Sequence, residues 1–488
     1  MKDATFWAEE IKNKRISSLE LLDETLVKIK EINPKYNAIV AFDEELARKE
    51  ISERKSGNGL FDGVLFPLKM LGQDYKGLPS TACSRLFKDN VANGNSNFVN
   101  QAMKAGFIPF AQTNSPEFGF KNITDSALYG DTRNVWNADY SPGGSSGGAA
   151  SAVASGMFPI AAASDGGGSI RIPASWSGLI GLKATRGKMP QGPGGFRGWQ
   201  GASTAGALTV SVRDTARFLA QMQVVQEPTP YQSVLLAREE LLDIRAINQP
   251  LKIAFSMDSP ISSVKISDDA KNAVRKTVEF LEKQGHELTE VAYPLDARPL
   301  IESYYQMNAA ETAAMLTPLE QMTGKKISNR QVEPLTYGLL QHGRNVPAVN
   351  YIQTLNQWDN ATQQFEEKIF SQFDLFISPV AAKTAPKIKE ELISKSLIEK
   401  LMNIESFNFT EQAQIISESF EGSLSYTPYP FITNLTGQAA ISLPVYVSES
   451  GLPLGVQLIG RKNSEILLLK VAKLMEENGQ FILPQAYR

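Results

Sequence analysis

Ser141-Pro-Gly-Gly-Ser-Ser-Gly-Gly-Ala-Ala-Ser151 and, after an apolar interval, Ser164-Asp-Gly-Gly-Gly-Ser-Ile-Arg-Ile-Pro173 make up the stretch whose reading decides the fold. Between Gly143 and Gly187 lie 11 of the 36 glycines of the chain. Each glycine loses extra backbone entropy on folding and weakens helices and strands, so such density is kept where backbone must approach something closely or take positive φ. A flexible linker is the competing reading, but linkers of this kind are not interleaved with apolar runs. Here Ala149 to Ala163 (AASAVASGMFPIAAA) is apolar enough to be buried, and Leu179-Ile-Gly-Leu182 follows. The stretch reads as a buried site lined by backbone.

Upstream, residues 3–33 read as helical. Ser17 and Glu20 form a capping box ahead of Leu19, Leu22, Leu26 and Ile29, and Pro34 is expected to end the run. A polar helix from Glu44 to Lys55 leads to a Ser56-Gly-Asn-Gly turn, and Asp62 to Met70 reads as an apolar strand with one interior charge, Lys69. A lysine there either points to water from an edge strand, is paired, or is neutral. Asn97 to Gly106 reads as a helix and Phe107 to Thr113 as a short strand.

Downstream, Ser211 to Val224 is helical. Leu251 to Phe255, Asp268 to Gln284 and Glu287 to Ala292 spell strand, helix, strand, the mark of parallel pairing. Residues 303–373 are mostly helical, Asp374 to Ser378 is a buried strand, and 384–427 reads as a polar helical excursion over the surface. Ala439 to Val447 and Leu454 to Ile459 flank Ser450-Gly-Leu-Pro as a hairpin, and Ser464 opens a last helix that Gly479 closes. The expected fold class is α/β: a large mixed, mostly parallel central sheet covered by helices on both faces. The expected organisation is one domain over 1–488, with an N-terminal helical part (1–60), a core carrying the glycine-rich stretch (61–240) and substrate-lining helices with a C-terminal sheet and helix (241–488).

Composition excludes several classes. Of the 488 residues 42% are hydrophobic and 21% charged, with net charge −3 and no Lys/Arg cluster, so nucleic acid is not an expected partner. The first ten residues contain no apolar signal-peptide core and no run of about 18 apolar residues follows, so neither a signal peptide nor a membrane span is expected and the chain reads as cytoplasmic. One cysteine, Cys83, and two histidines, His286 and His342, fit no common zinc spacing. Each histidine sits beside a glycine and reads as a surface or capping residue, so the chemistry is expected to do without histidine, metal or cofactor.

Within the glycine-rich stretch, Gly143 to Gly148 resembles the start of a phosphate-binding loop, but Ala149-Ala150 replace the obligatory Lys-Ser/Thr. Gly144-Ser-Ser-Gly-Gly148 fits G-x-S-x-G with Ser146 as an elbow nucleophile, yet no strand precedes it and histidines are nearly absent. The whole stretch, SPGGSSGGAAS followed by SDGGGSIRIPASWSGLIGLKATRG, resembles the signature of the amidase signature family. Ser145 and Ser169 are 24 positions apart, as in that pattern, and Lys69 stands upstream in the matching place. QTNSPEFG (112–119), TRNVWN (132–137), LTGQAAISLP (435–444) and GLPLGVQLIG (451–460) extend the likeness over nearly the whole chain, which is similar to the bacterial amidases that include 6-aminohexanoate-cyclic-dimer hydrolases.

The resemblance implies an amidase acting on a small linear or cyclic carboxamide. Ser169 would attack the carbonyl and hold the acyl group. Ser145, behind a cis peptide bond, would bridge Ser169 to the base Lys69. The backbone N–H groups of Gly166, Gly167 and Gly168 would face the oxyanion. A lysine is a base only when neutral, and its ordinary pKa of about 10.4 leaves roughly one molecule in 2,500 neutral at pH 7. Burial lowers that value, and an adjacent base is what makes a serine nucleophilic. The sequence departs from the family at Met70, where an acidic residue is usual and for which Asp74 is a candidate substitute, at Gln112 in place of lysine and at Ala184 in place of proline. Two other readings remain: a glutamine-hydrolysing subunit of a tRNA-dependent amidotransferase, and an inactive scaffold. Tyr304, Tyr305, Asn308, Tyr426 and Phe431 are candidates for the pocket wall.

Overall fold

The apolar segments assemble into two sheets that meet at the glycine-rich stretch. A computed structural model of the chain describes every residue except Lys55, Ser56 and Asn58, so the expected turn at Ser56 lies outside the described residues. The strands are β1 (Ile39–Phe42), β2 (Leu65–Lys69), β3 (Ile108–Thr113), β4 (Asp125–Ser126), β5 (Gly130–Asp131), β6 (Ala161–Asp165), β7 (Ile180–Lys183), β8 (Thr204–Thr209), β9 (Lys252–Phe255), β10 (Glu287–Glu290), β11 (Leu375–Pro379), β12 (Ala439–Val447) and β13 (Pro453–Gly460). A small sheet runs β1-β3-β2, and an eight-stranded sheet runs β10-β9-β11-β13-β12-β7-β8-β6.

Side chains alternate across the large sheet, as strand geometry requires. Ile253, Leu375, Ile377, Ile441 and Leu458 face one core with the helices Asp268–Lys283 and Glu465–Glu477. Ala254, Phe376, Ala440 and Ile459 face a second core, built with the helices Arg298–Thr323, Ala348–Phe365 and Phe409–Leu424. The large mixed sheet with helices on both faces is as expected. Its parallel share is smaller than expected: β10–β9 and β9–β11 are parallel, while β11–β13, β13–β12, β12–β7, β7–β8 and β8–β6 are antiparallel. The β12–β13 hairpin enters the middle of the sheet, and β8 inserts between β6 and β7 and runs opposite to both. Parallel neighbours in this sheet are confined to the β10-β9-β11 end, where helical crossovers connect the strands.

Local signals held with three exceptions, the first being that the helical stretch expected over 3–33 is two helices, Ala4–Lys12 and Ser18–Tyr36. The Ser17/Glu20 capping box is formed, but Pro34 lies inside the last turn of the helix Ser18–Tyr36, which Asn37 ends in the left-handed conformation. The polar segment 384–427 is more than a surface excursion. Its helix Phe409–Leu424 buries Ile415, Ile416, Phe420 and Leu424 against the second core. The polar helix before the undescribed turn spans Glu44–Glu53. No helix among the described residues is long and apolar enough to cross a membrane.

Candidate active site

Small residues let the two sheets come together. The helix Gly147–Ala154 is buried along its whole length, and a Cβ on Gly144, just before it, would lie 2.6 Å from the carbonyl oxygen of Ile123. Beside this close-packed segment the end of β2 packs against β6. Lys69 is the last residue of β2, an edge strand of the small sheet, but this edge faces protein and Lys69 is 1% exposed. Its amine donates to Ser145 Oγ at 2.7 Å and to Ser164 Oγ at 3.0 Å. Its backbone N–H donates to Gln73 Oε1 at 2.7 Å, and Gln73 Nε2 reaches Ala163 O at 2.9 Å, tying β2 to β6. Burial lowers the Lys69 amine to about 7, against a weaker upward pull from the Asp165 carboxylate.

The Gly144–Ser145 peptide bond is cis. Ser169 lies in the turn between β6 and the helix Arg171–Ser177, and it shares with Ser145, Ser164 and Gly166 the wall of a cavity of about 320 Å³. A smaller chamber of about 70 Å³ opens on the other side of Ser169, lined by Gly167, Tyr304, Tyr305 and Phe431. Ser169 therefore stands where two chambers meet.

The turn that carries Ser169 is held from behind. Asp165 and Arg171 form an ion pair at 3.0 Å with both side chains fully buried. All five guanidinium hydrogens of Arg171 have acceptors: Asp165 takes two, and Thr433, Gln457 and Asn434 one each. Burial alone would raise the Asp165 carboxyl, but the charge and hydrogen bonds of Arg171 and the amide of Asn434 hold it at about 2. The same carboxylate accepts the N–H of Gly168 at 2.6 Å and that of Ile170 at 3.2 Å. The expectation that Gly168 offers its N–H to an oxyanion is thereby corrected, since that donor is committed inside the turn. Gly168 is needed for another reason: φ is +122° and a Cβ would fall 2.5 Å from that of Pro430. The N–H groups of Gly166 and Gly167 have no acceptor among the described residues.

The remaining sequence candidates separate cleanly. Ser146 is fully buried and bonds the backbone of Ser164 at 3.2 Å, which makes it a strut rather than an elbow nucleophile. Asp74 accepts from Ser80 at 2.6 Å and is engaged there. Tyr304, Tyr305 and Phe431 line the smaller chamber, and Asn308 is buried one turn along the helix from Tyr304. Tyr426 turns away, edge-on to Trp176, with its hydroxyl on Glu390. Both histidines are buried rather than superficial: His286 Nδ1 accepts Leu251 N–H at 3.2 Å, and His342 stacks on Phe409. Sequence reasoning missed Ser164, Asp165 and Arg171, although all three stand in the quoted stretch. Among the described residues no group of three or more His, Cys, Asp or Glu side chains is placed to hold a metal ion.

The mixed α/β sheet thus places a buried amine on a serine that lines a cavity of small-molecule size. The chain belongs to the amidase family, whose model, described as Amidase, matches residues 20–469. It is 35% identical to a lipoamidase of Enterococcus faecalis over 97% of its own length, and it spans 63% of the length of that relative. It is 30% identical to the 6-aminohexanoate-cyclic-dimer hydrolase of Paenarthrobacter ureafaciens, over 97% of this chain and 94% of that one. A solved structure of 6-aminohexanoate cyclic dimer hydrolase superposes with a TM-score of 0.89 at 29% identity, covering 100% of this chain and 99% of that one.

Proposed function

We propose that the protein hydrolyses the C–N bond of a small linear or cyclic carboxamide through an acyl-serine intermediate on Ser169, with Ser145 and Lys69 as its proton relay. Neutral Lys69 takes the proton of Ser145 as Ser145 takes that of Ser169. The Ser169 oxygen then bonds the amide carbon. The N–H groups of Gly166 and Gly167 face the oxygen that becomes negative, where one well-placed donor is worth about 2.7–4 kcal/mol. The proton returns through Ser145 to the nitrogen, the C–N bond breaks and the amine leaves. Water repeats the attack on the ester and releases the acid.

The observation that carries this reading is the buried Lys69 amine, lowered to about 7 and 2.7 Å from Ser145 Oγ. It also weighs against an inactive scaffold, because the amine of Lys69 reaches Ser145 despite Met70. Against glutamine as substrate stands the larger cavity, whose wall includes no Lys or Arg to meet an α-carboxylate. In the smaller chamber Lys121 is already paired with Asp125 at 2.7 Å and Glu333 at 2.6 Å.

The test is a fluorophosphonate serine probe with the adduct mapped by mass spectrometry. Labelling at Ser169, lost in Ser169→Ala and slowed by more than about a hundredfold in Lys69→Ala, is the expected result. An adduct on Ser146, or none in the folded protein, overturns the reading. Hydrolysis of simple amides by the chain alone separates it from an amidotransferase subunit.

A further inference from the structure

The larger cavity carries one charged side chain in its wall, Glu311, and that carboxylate has no Lys or Arg partner within ion-pair distance among the described residues. Glu311 is half-buried on the helix Arg298–Thr323, one turn before Met315, which is 47% exposed at the mouth. Its Oε1 accepts both protein donors, Tyr351 OH at 2.6 Å and Gln200 Nε2 at 3.0 Å. Oε2 accepts none among the described residues. The rest of the wall is uncharged and includes four aromatic rings, Phe98, Phe118, Phe120 and Trp199, the last two stacked with ring centroids 5.9 Å apart. A lone carboxylate beside aromatic faces attracts a cation by direct charge and by the ring quadrupoles, and it repels an acid.

The proton relay fixes which part of the substrate lies here. Ser145 lines the larger cavity and not the smaller chamber. The group that hands a proton to the departing nitrogen must lie beside it, so the departing amine occupies the larger cavity and the acyl group the smaller chamber. Resting on the acyl-serine reading, we propose that Glu311 is a specificity-determining residue that selects amides whose leaving amine bears a second, protonated amino group, the amides of diamines and of lysine-like amines. The ammonium sits near the mouth, where it keeps part of its hydration while Oε2 and the aromatic faces replace the rest.

The experiment compares N-(4-aminobutyl)benzamide with its near-isostere N-pentylbenzamide on the wild-type chain and on Glu311→Gln, following benzoate release. The wild type is expected to favour the amino compound by about tenfold or more in kcat/KM, and Glu311→Gln to bring that ratio close to one. Glutamine keeps an oxygen for Tyr351 and Gln200, so a carboxylate that served only to brace those two residues leaves the ratio unchanged in the variant. That outcome overturns the proposal, as does equal use of both compounds by the wild type. A preference that arises only when the ammonium is moved to the acyl part, as in 4-(aminomethyl)-N-pentylbenzamide, overturns it too. Failure on all three amides with Ser169 still labelled by the fluorophosphonate overturns the substrate class alone, whereas failure with Ser169 unreactive overturns the acyl-serine reading beneath it.

Discussion

A lysine amine in water stays protonated to about pH 10.4 and cannot take a proton from a serine at neutral pH. Lys69 differs because the apolar segment before it, Leu65 to Leu68, is buried with it, and because its amine meets hydroxyls rather than a carboxylate. Its value of about 7 sets the sign of the pH dependence. Below 7 the amine is an ammonium and the relay is blocked, and above 7 it is a base. On a neutral amide, kcat/KM is therefore expected to rise through about pH 7 and level off above it, with activity at pH 5 about a hundredfold below the plateau. A profile that is flat between pH 5 and 8, or that falls with rising pH, sinks the assignment of Lys69 as base. Lys69, Ser145 and Ser169 became candidates through the likeness of the stretch to a family signature, and of these the structure brings Lys69 onto Ser145. Ser164 was not legible, since nothing in SDGGGS marks its first serine as an acceptor for an amine that arrives from residue 69.

At the scale of elements, the site depends on one short connection, the turn from β6 into the helix Arg171–Ser177. Its glycines leave the backbone many alternatives, and the buried Asp165–Arg171 pair with Asn434 selects one of them. Removing a single partner from a buried pair leaves the other charge without compensation, which typically costs about 3–5 kcal/mol. Arg171→Met is therefore expected to lower stability by about that amount in urea titration and to reduce labelling of Ser169 while the chain is still folded. A variant as stable and as reactive as the wild type would mean that the turn holds itself. The elements themselves were read well where the pattern is local. The β12–β13 hairpin announces itself by alternation around Ser450-Gly-Leu-Pro, and the helix Asp268–Lys283 by its apolar face. Pro34 misled because its fixed φ suits a helix and its lost donor is tolerated when other contacts hold the last turn. The order of strands in the large sheet was not legible. Whether β8 pairs between β6 and β7 depends on contacts across the sheet that no short window contains.

Taken as a whole, the molecule keeps ionisable groups where an ordinary core keeps hydrocarbon, and this ties its stability to its chemistry. Lys69 and Lys183 are both fully buried, and burial lowers each to about 7 from the ordinary 10.5; the charge of Arg171 also weighs on Lys183. Between those two pH values the unfolded chain holds more protons than the folded one, so raising the pH favours the folded chain. The gain is about 1.4 kcal/mol per pH unit for each lysine across that window. The buried carboxyls whose values burial raises, Asp125 to about 6 and Asp214 to about 7, have given up their protons by its middle and add little there. Stability measured by urea titration is therefore expected to climb between about pH 7.5 and 8.5, below the range where the Cys83 thiol and the buried tyrosines, whose values burial raises, begin to oppose it, and Lys69→Met, which removes one of the two lysines, to climb about half as steeply. The same variant should be more stable than the wild type near pH 7, because a thioether needs no solvation where an amine does, while losing reactivity at Ser169. Equal slopes in the two proteins would mean that Lys69 stays protonated in the folded chain at those pH values, and the base of the proposed relay would then have to be sought elsewhere.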